Sequence, residues 1–287
     1  MGSENPFETP VPKGTRTIQG VLRVIVAIQC FGMAAAILHQ GRSSAFVEFL
    51  APAYNLSEAD AEIVKKGAAI GLAVCGGLTL FRPISLLLAA ITIWQAGEAV
   101  SALMLNHGTI PELEPAEQAV RFIAPLGLLL IDFWPPKIRP TLAFCLASIG
   151  LMRLAAVATF AAHGMVAIFQ YRHGGNFVEL ITQSAQNALH YDLDPTWARR
   201  SLAVIGAMDV AVAFSLLTSR CRPVVFWMAL WGFATAFSRI LAYGVDGYDM
   251  TLIRIANGGV PFAIFLFWMT AVQEQKPSIL PELEEES

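Results

Sequence analysis

The stretch VIVAIQCFGMAAAILHQG, from Val24 to Gly41, decides the fold class. It runs for 18 residues without an Asp, Glu, Lys or Arg, the length and character of a helix that crosses the hydrocarbon core of a bilayer. Two more charge-free runs, Leu154 to Tyr171 and Ile255 to Gln273, have the same quality. Around them the 287-residue chain is 55% hydrophobic and 14% charged, with a mean hydropathy of +0.57. Soluble domains carry roughly 25% charged residues, so a water-soluble enzyme and a disordered chain are both disfavoured. A net charge of −3 and a pI near 6.0 leave no basic footprint for a phosphate backbone, and no nucleic-acid partner is expected.

At about 20 residues per span, the chain has room for eight helices. The apolar segments place them near Thr17 to Leu38, Lys66 to Phe81, Pro83 to Leu105, Ala116 to Trp134, Thr141 to Gly164, Arg199 to Thr218, Pro223 to Gly244 and Leu252 to Val272. The expected fold is all-α, a polytopic membrane helix bundle. The polar stretch up to Gln19, with Pro6, Pro10 and Pro12, does not read as a removable signal peptide. Cys30, Cys75, Cys145 and Cys221 are scattered singly, which argues against a thiol pair or zinc cluster.

The same landmarks occur twice in the same order. Gly20-Val-Leu-Arg-Val24 opens the first span and Gly150-Leu-Met-Arg-Leu154 the fifth; Phe46-Val-Glu48 and Phe177-Val-Glu179 follow. Tyr54-Asn-Leu-Ser57 and Tyr191-Asp-Leu-Asp194 each place a helix-capping side chain ahead of the next span. Arg82-Pro83 and Arg222-Pro223 mark the turns between the second and third helices. Phe133-Trp134 and Phe267-Trp268 close the fourth, with Arg121 and Arg254 near their starts. These landmarks predict a tandem repeat of four-helix units, residues 19–136 and 137–272, between an N-terminal tail (1–18) and an acidic tail (273–287). Four spans per unit give a parallel repeat.

Arg82, Lys137, Arg139, Arg220 and Arg222 make one set of short loops basic, whereas Glu112, Glu114, Asp246 and Asp249 make the alternate set acidic. The positive-inside rule then puts both termini in the cytoplasm, in a cell membrane of bacterial inner-membrane type, with Trp134 and Trp268 as inner-interface anchors. The Phe-Val-Glu segments fall in the outer connections, where short amphipathic helices can lie in the interface or fold back over the bundle as a cover.

Charge inside the bilayer costs at least about 2.5 kcal/mol per group at mid-depth. Glu98, Arg121, Arg239 and Arg254 are placed together in the outer half, with Asn257, Gln95 and Ser238 at similar depth. They predict an outward-facing polar vestibule for a lipid, a quinone or a partner segment, with an anionic or polar head group favoured because arginine outnumbers carboxylate. Deeper, Asp209 is expected to pair with Arg153, and Arg23 with Asp132, as structural ion pairs. The five histidines match no metal motif and read as interfacial; a metal or haem held between His39 and His163, at the outer ends of matched helices, is the disfavoured alternative. Gly67-x-x-x-Gly71 and Ala203, Gly206 and Ala207 have the spacing of close helix packing. No catalytic signature, metal site or cofactor motif is legible.

The arginine that opens each first helix, the amphipathic outer segment and the run Gly71-Leu-Ala-Val-Cys-Gly-Gly-Leu-Thr-Leu-Phe-Arg-Pro83 before an alanine-rich third span resemble the DoxX-like membrane family. The resemblance covers nearly the whole chain and implies two fused four-helix units. It further implies a small membrane subunit, linked in some members to quinone-dependent sulfur oxidation and in others to stress response or cargo roles. Where that family has a carboxylate at the start of the second helix, this chain has Lys65-Lys66 and Arg199-Arg200, so no catalytic residue carries over. The function expected is an accessory subunit of a membrane assembly, a redox-linked one among the candidates, contacting lipids and protein partners without catalysis of its own. A small-solute or proton-coupled transporter is the alternative, with Pro125 in the fourth span and Gly258-Gly259-Val260-Pro261 in the eighth as the candidate helix breaks.

Overall fold

The computed structural model describes residues 14–136 and 140–273. Residues 1–13 and 274–287, the greater part of both expected tails, and the basic pair Lys137 and Arg139 lie outside the described residues. Twelve α-helices follow in order: α1 (Thr15–Leu38), α2 (Ala45–Ala53), α3 (Glu58–Phe81), α4 (Ser85–Met104), α5 (Glu114–Glu117), α6 (Ala119–Ile131), α7 (Leu142–His173), α8 (Asn176–Leu189), α9 (Pro195–Thr218), α10 (Arg222–Tyr243), α11 (Tyr248–Ile253) and α12 (Ile255–Gln273). No strand occurs among the described residues.

The helix starts follow from local chemistry. Ser57 accepts from the Asp60 amide at 3.2 Å and Asp194 from the Thr196 amide at 2.7 Å, so each expected cap satisfies a donor that the first turn of α3 or α9 would leave unpaired. Ser44 caps α2 through the Val47 amide at 3.2 Å, and Thr141 caps α7 through that of Phe144 at 3.4 Å.

Among the described residues six helical segments are long and apolar enough to cross a membrane: α1, α3, α4, α7, α9 and the run Arg222–Ile253 that contains α10 and α11. The chain is therefore a multi-pass helical membrane protein. Many of their large side chains, Phe81, Leu86, Ile93, Val204 and Phe214 among them, point outward, as the lipid-facing surface of such a bundle requires. At 32 residues, α7 is about 48 Å long at 1.5 Å per residue, well beyond the roughly 30 Å hydrocarbon core. Its last turns carry α8 at one end of the bundle.

The two expected fourth spans differ most from expectation. Each is divided, at Gln118 between α5 and α6 and at Arg254 between α11 and α12. Pro125 and the run Gly258-Gly259-Val260-Pro261, the candidate breaks, instead lie inside helices, with Pro125 and Pro261 each seven residues beyond the observed break. The freed backbone groups find local partners: Arg121 N–H donates to Gln118 O and Asn257 N–H to Arg254 O, both at 2.9 Å. Across the first break, the Thr159 hydroxyl of α7 donates to Ala116 O at 3.0 Å and accepts from Val120 N–H at 3.3 Å. Such repair is what lets an interrupted helix persist in a membrane protein.

Packing follows one pattern in both halves. Helix α1 packs on α3 and α7 on α9; α4 packs on α6 and α10 on α12; α2 packs on α4 and α8 on α10; the halves join through α6 on α7 and α12 on α1. Since lipid is as apolar as leucine, small residues that admit close approach hold such bundles together. A β-carbon at Gly206 would lie 2.6 Å from Gly164 O, and one at Gly76 would lie 2.8 Å from Cys30 Cβ. Gly206 thus packs as its spacing predicts. Gly67 and Gly71 do not: a β-carbon on either meets nothing within 4 Å, and Gly76, further along α3, makes the close crossing. Trp268 is also corrected, being buried in the core rather than at an interface. Trp134 is held at the α3–α4 turn, where its backbone N–H and carbonyl bond the Ser85 hydroxyl and the Arg82 guanidinium stacks 4.3 Å from its ring.

Candidate functional site

The polar residues toward the α2 and α8 end of the bundle divide between two cavities. The smaller, about 140 Å³, touches Gln95, Glu98, Gln118 and Arg121. The larger, about 500 Å³, lies between α7, α9, α10 and α12 beneath α8, and takes in His163, Asp209, Trp231, Arg239 and Asn257. Arg254 lines neither. It stands at the α11–α12 break, close enough to Arg121, Arg239 and Glu117 for their charges to act on one another.

The difference in size comes from the covering helices. In the first half Phe46 of α2 packs edge-on against Trp94, ring centroids 5.4 Å apart, and Gly97 gives it room, since a β-carbon there would lie 3.0 Å from the Phe46 ring. In the second half α8 spans 14 residues against nine for α2. It turns Phe177, Ile181 and Ala185 toward the cavity without filling it. Helix α8 is held at its start by the fully buried Gln170, which donates to Asn176 Oδ1 at 2.6 Å and Thr109 Oγ1 at 2.9 Å and accepts from Phe177 N–H at 2.7 Å. Along its length Asn187 donates to Ala242 O at 2.6 Å.

Glu98 acts on the cover of the first half. Its carboxylate accepts from the Ser44 hydroxyl and, at 3.0 Å, from Ala45 N–H, fastening the start of α2 to α4. The three arginines have no such carboxylate. Arg121 bonds Gln118 Oε1 at 3.3 Å, Arg239 donates to Thr235 O and to Ser238 Oγ at 3.0 Å, and Arg254 donates to Met250 O at 3.2 Å. None of them forms an ion pair among the described residues, where the buried Arg121 Nε also has no hydrogen-bond partner.

Arg23 and Asp132 meet at 2.6 Å. The expected Arg153–Asp209 pair does not form. Arg153 donates to the carbonyls of Leu216 (2.7 Å), Leu217 (2.9 Å) and Ser219 (3.1 Å), because the C-terminal carbonyls of α9 are unpaired and carry the negative end of its dipole. Asp209 is left facing the larger cavity.

Two polar pairs were missed by sequence reasoning. Arg42 reaches Asp249 at 2.5 Å. His163 Nε2 lies 3.7 Å from Glu117 Oε2, and His163 Nδ1 must donate to Thr159 O at 2.8 Å because a carbonyl only accepts. One proton between Nε2 and Glu117 is then needed for the pair to attract. The four-residue spacing of Thr159 and His163 on α7 was the available signal. His39 has different surroundings, edge-on to Tyr248, and no cluster of three metal-binding side chains occurs among the described residues.

The fold and this site define a multi-pass helical membrane protein with an apolar cavity, roofed by an amphipathic helix and holding a buried cation and carboxylate in its wall. No protein-family model, curated protein or solved structure matches the chain.

Proposed function

We propose that this protein is an accessory membrane subunit that holds an amphiphilic molecule in the cavity beneath α8, with no catalysis of its own. The carrying observation is Arg239, 8% exposed, set in the wall of a mainly apolar cavity and without an ion-pair partner among the described residues. Apolar volume with a few convergent polar groups is the usual form of a small-molecule site. An intramembrane cation is a sign of function rather than of stability. Lipids and quinones both have the required shape, and a redox-linked assembly remains among the candidate partners.

The tandem repeat of two four-helix units, eight crossings in all, and the DoxX-like resemblance belong to the same reading. Supporting them are the repeated packing pattern, the breaks at Gln118 and Arg254, and the equal distance from each break to Pro125 and Pro261. Arg82, Arg220 and Arg222 at the end opposite α8 favour cytoplasmic termini in a cell membrane and an outward-facing cavity.

The test is native mass spectrometry of the full chain released from lipid nanodiscs. A bound amphiphile is expected on the wild type and lost from Ala185→Trp, which places an indole in the cavity from α8. A wild-type protein that carries nothing, or a variant that retains the same molecule, would overturn the reading.

The matched helix breaks favour transport as a second reading, since interrupted helices in corresponding positions mark substrate sites in transporters. Proton or solute flux in proteoliposomes, abolished by Asp209→Asn, would decide for it.

A further inference from the structure

At the deep end of the larger cavity three buried polar atoms have no hydrogen-bond partner among the described residues: Asp209 Oδ1, Trp231 Nε1 and Asn257 Oδ1. All three residues line the cavity, and Asp209 and Asn257 are 5% and 6% exposed. They share one depth. Asp209 is nine residues from the end of α9 at Thr218, and Trp231 nine from the start of α10 at Arg222. Each is thus about 13 Å along its helix from the turn that joins the two. Asn257 comes to the same level because its backbone meets α10 at Gly232, next to Trp231. The great majority of buried polar groups in folded proteins are paired, so three at one level in one cavity point to an occupant.

Their chemistry narrows what it is. Asp209 and Asn257 offer acceptors and Trp231 offers a donor. The indole N–H lies beside the Asp209 carboxylate but does not close a hydrogen bond to it. A group that satisfies this arrangement must accept from Trp231 and donate to Asp209 or Asn257. A hydroxyl does both, pairing the indole and one of the two oxygens. An ether, ester or ketone only accepts and leaves the two oxygens unpaired; an alkylammonium only donates and leaves the indole unpaired; a carboxylate is repelled by Asp209. The surrounding walls, with Phe160, Leu202 and Ile205, are apolar. Arg239, eight residues along α10 and about 12 Å from Trp231, stands nearer the end covered by α8.

We infer that the cavity seats an apolar, lipid-sized alcohol by its hydroxyl, which accepts from the Trp231 indole and donates to Asp209 or Asn257. This deepens the proposed function and rests on it.

The experiment uses the full chain in nanodiscs and a dodecanol with a diazirine in its chain, photolysed and mapped by mass spectrometry. Adducts are expected on cavity residues such as Leu202, Ile205 and Ile181. Competition by 1-dodecanol should need at least about tenfold less than dodecyl methyl ether, the ratio for one well-placed hydrogen bond; dodecanoate and dodecylammonium should compete no better than the ether. Asp209→Leu with Asn257→Leu should keep the adducts and lose the preference. Trp231→Phe, a milder change should the double variant fail to fold, removes the bond that alcohol and ether both accept and should weaken the two alike, leaving their ratio unchanged. Equal competition by alcohol and ether would mean that water alone satisfies the three atoms and would overturn the inference. So would stronger competition by either ion, or competition by alcohol and ether that is unchanged in Trp231→Phe. Absence of any adduct in the cavity would instead overturn the amphiphile reading itself.

Discussion

Arg42 donates through Nε to Asp249 at 2.5 Å, and Asp249 is fully buried whereas the Arg42 side chain is 38% exposed. The pair ties the α1–α2 connection to α11, across 207 positions of sequence. Removing Arg42 leaves an uncompensated carboxylate in the interior, and breaking a buried pair in this way costs about 3–5 kcal/mol.

Arg42→Ala should therefore lower Tm in detergent by clearly more than Arg23→Ala. The Arg23–Asp132 pair is half-buried, its side chains 29% and 17% exposed, so the carboxylate left behind keeps contact with solvent and costs less than one at the fully buried Asp249. Thermal unfolding of both variants, followed by circular dichroism, checks the order. Equal losses would contradict it.

The glycines separate in the same way. Gly206→Ala should destabilise by about 1–3 kcal/mol, the usual cost of overpacking, because its β-carbon would meet Gly164 O at 2.6 Å. Gly67→Ala and Gly71→Ala have open space and should be neutral or stabilising by up to about 1 kcal/mol through helix propensity. Tm values of the three single variants test the contrast.

Gln170→Leu removes three hydrogen bonds at the start of α8, each worth about 1 kcal/mol. Amide hydrogen exchange within Asn176–Leu189 should accelerate at least about tenfold, while α1 and α3 keep wild-type protection. Uniform acceleration would show that Gln170 holds the whole bundle rather than the cover.

Most of the framework was legible from local chemistry. Ser57 and Asp194 cap the helices that their positions announce, and the longest apolar runs are α1, α7 and α12. What failed depended on which faces meet. Gly67 and Gly71 have the spacing of a packed face, but α3 turns Gly76 toward α1 instead. Pro125 and Pro261 marked the right helices and the wrong residues, because proline is accommodated within a helix whose freed carbonyl finds other partners. Asp209 was singled out for its depth, yet Arg153 was drawn away by the end of α9, an effect of chain termination rather than charge pairing. The larger cavity had no sequence signal, since its volume depends on how far α8 stands from α9 and α10.

The most direct test of the central claim is an experimental density map of the full chain in lipid nanodiscs. Elongated, non-protein density should lie beneath α8, with its polar end at Asp209, Trp231 and Asn257 and its apolar part along Leu202 and Ile181. A cavity that is empty, closed by α8, or occupied by discrete waters alone would contradict the account.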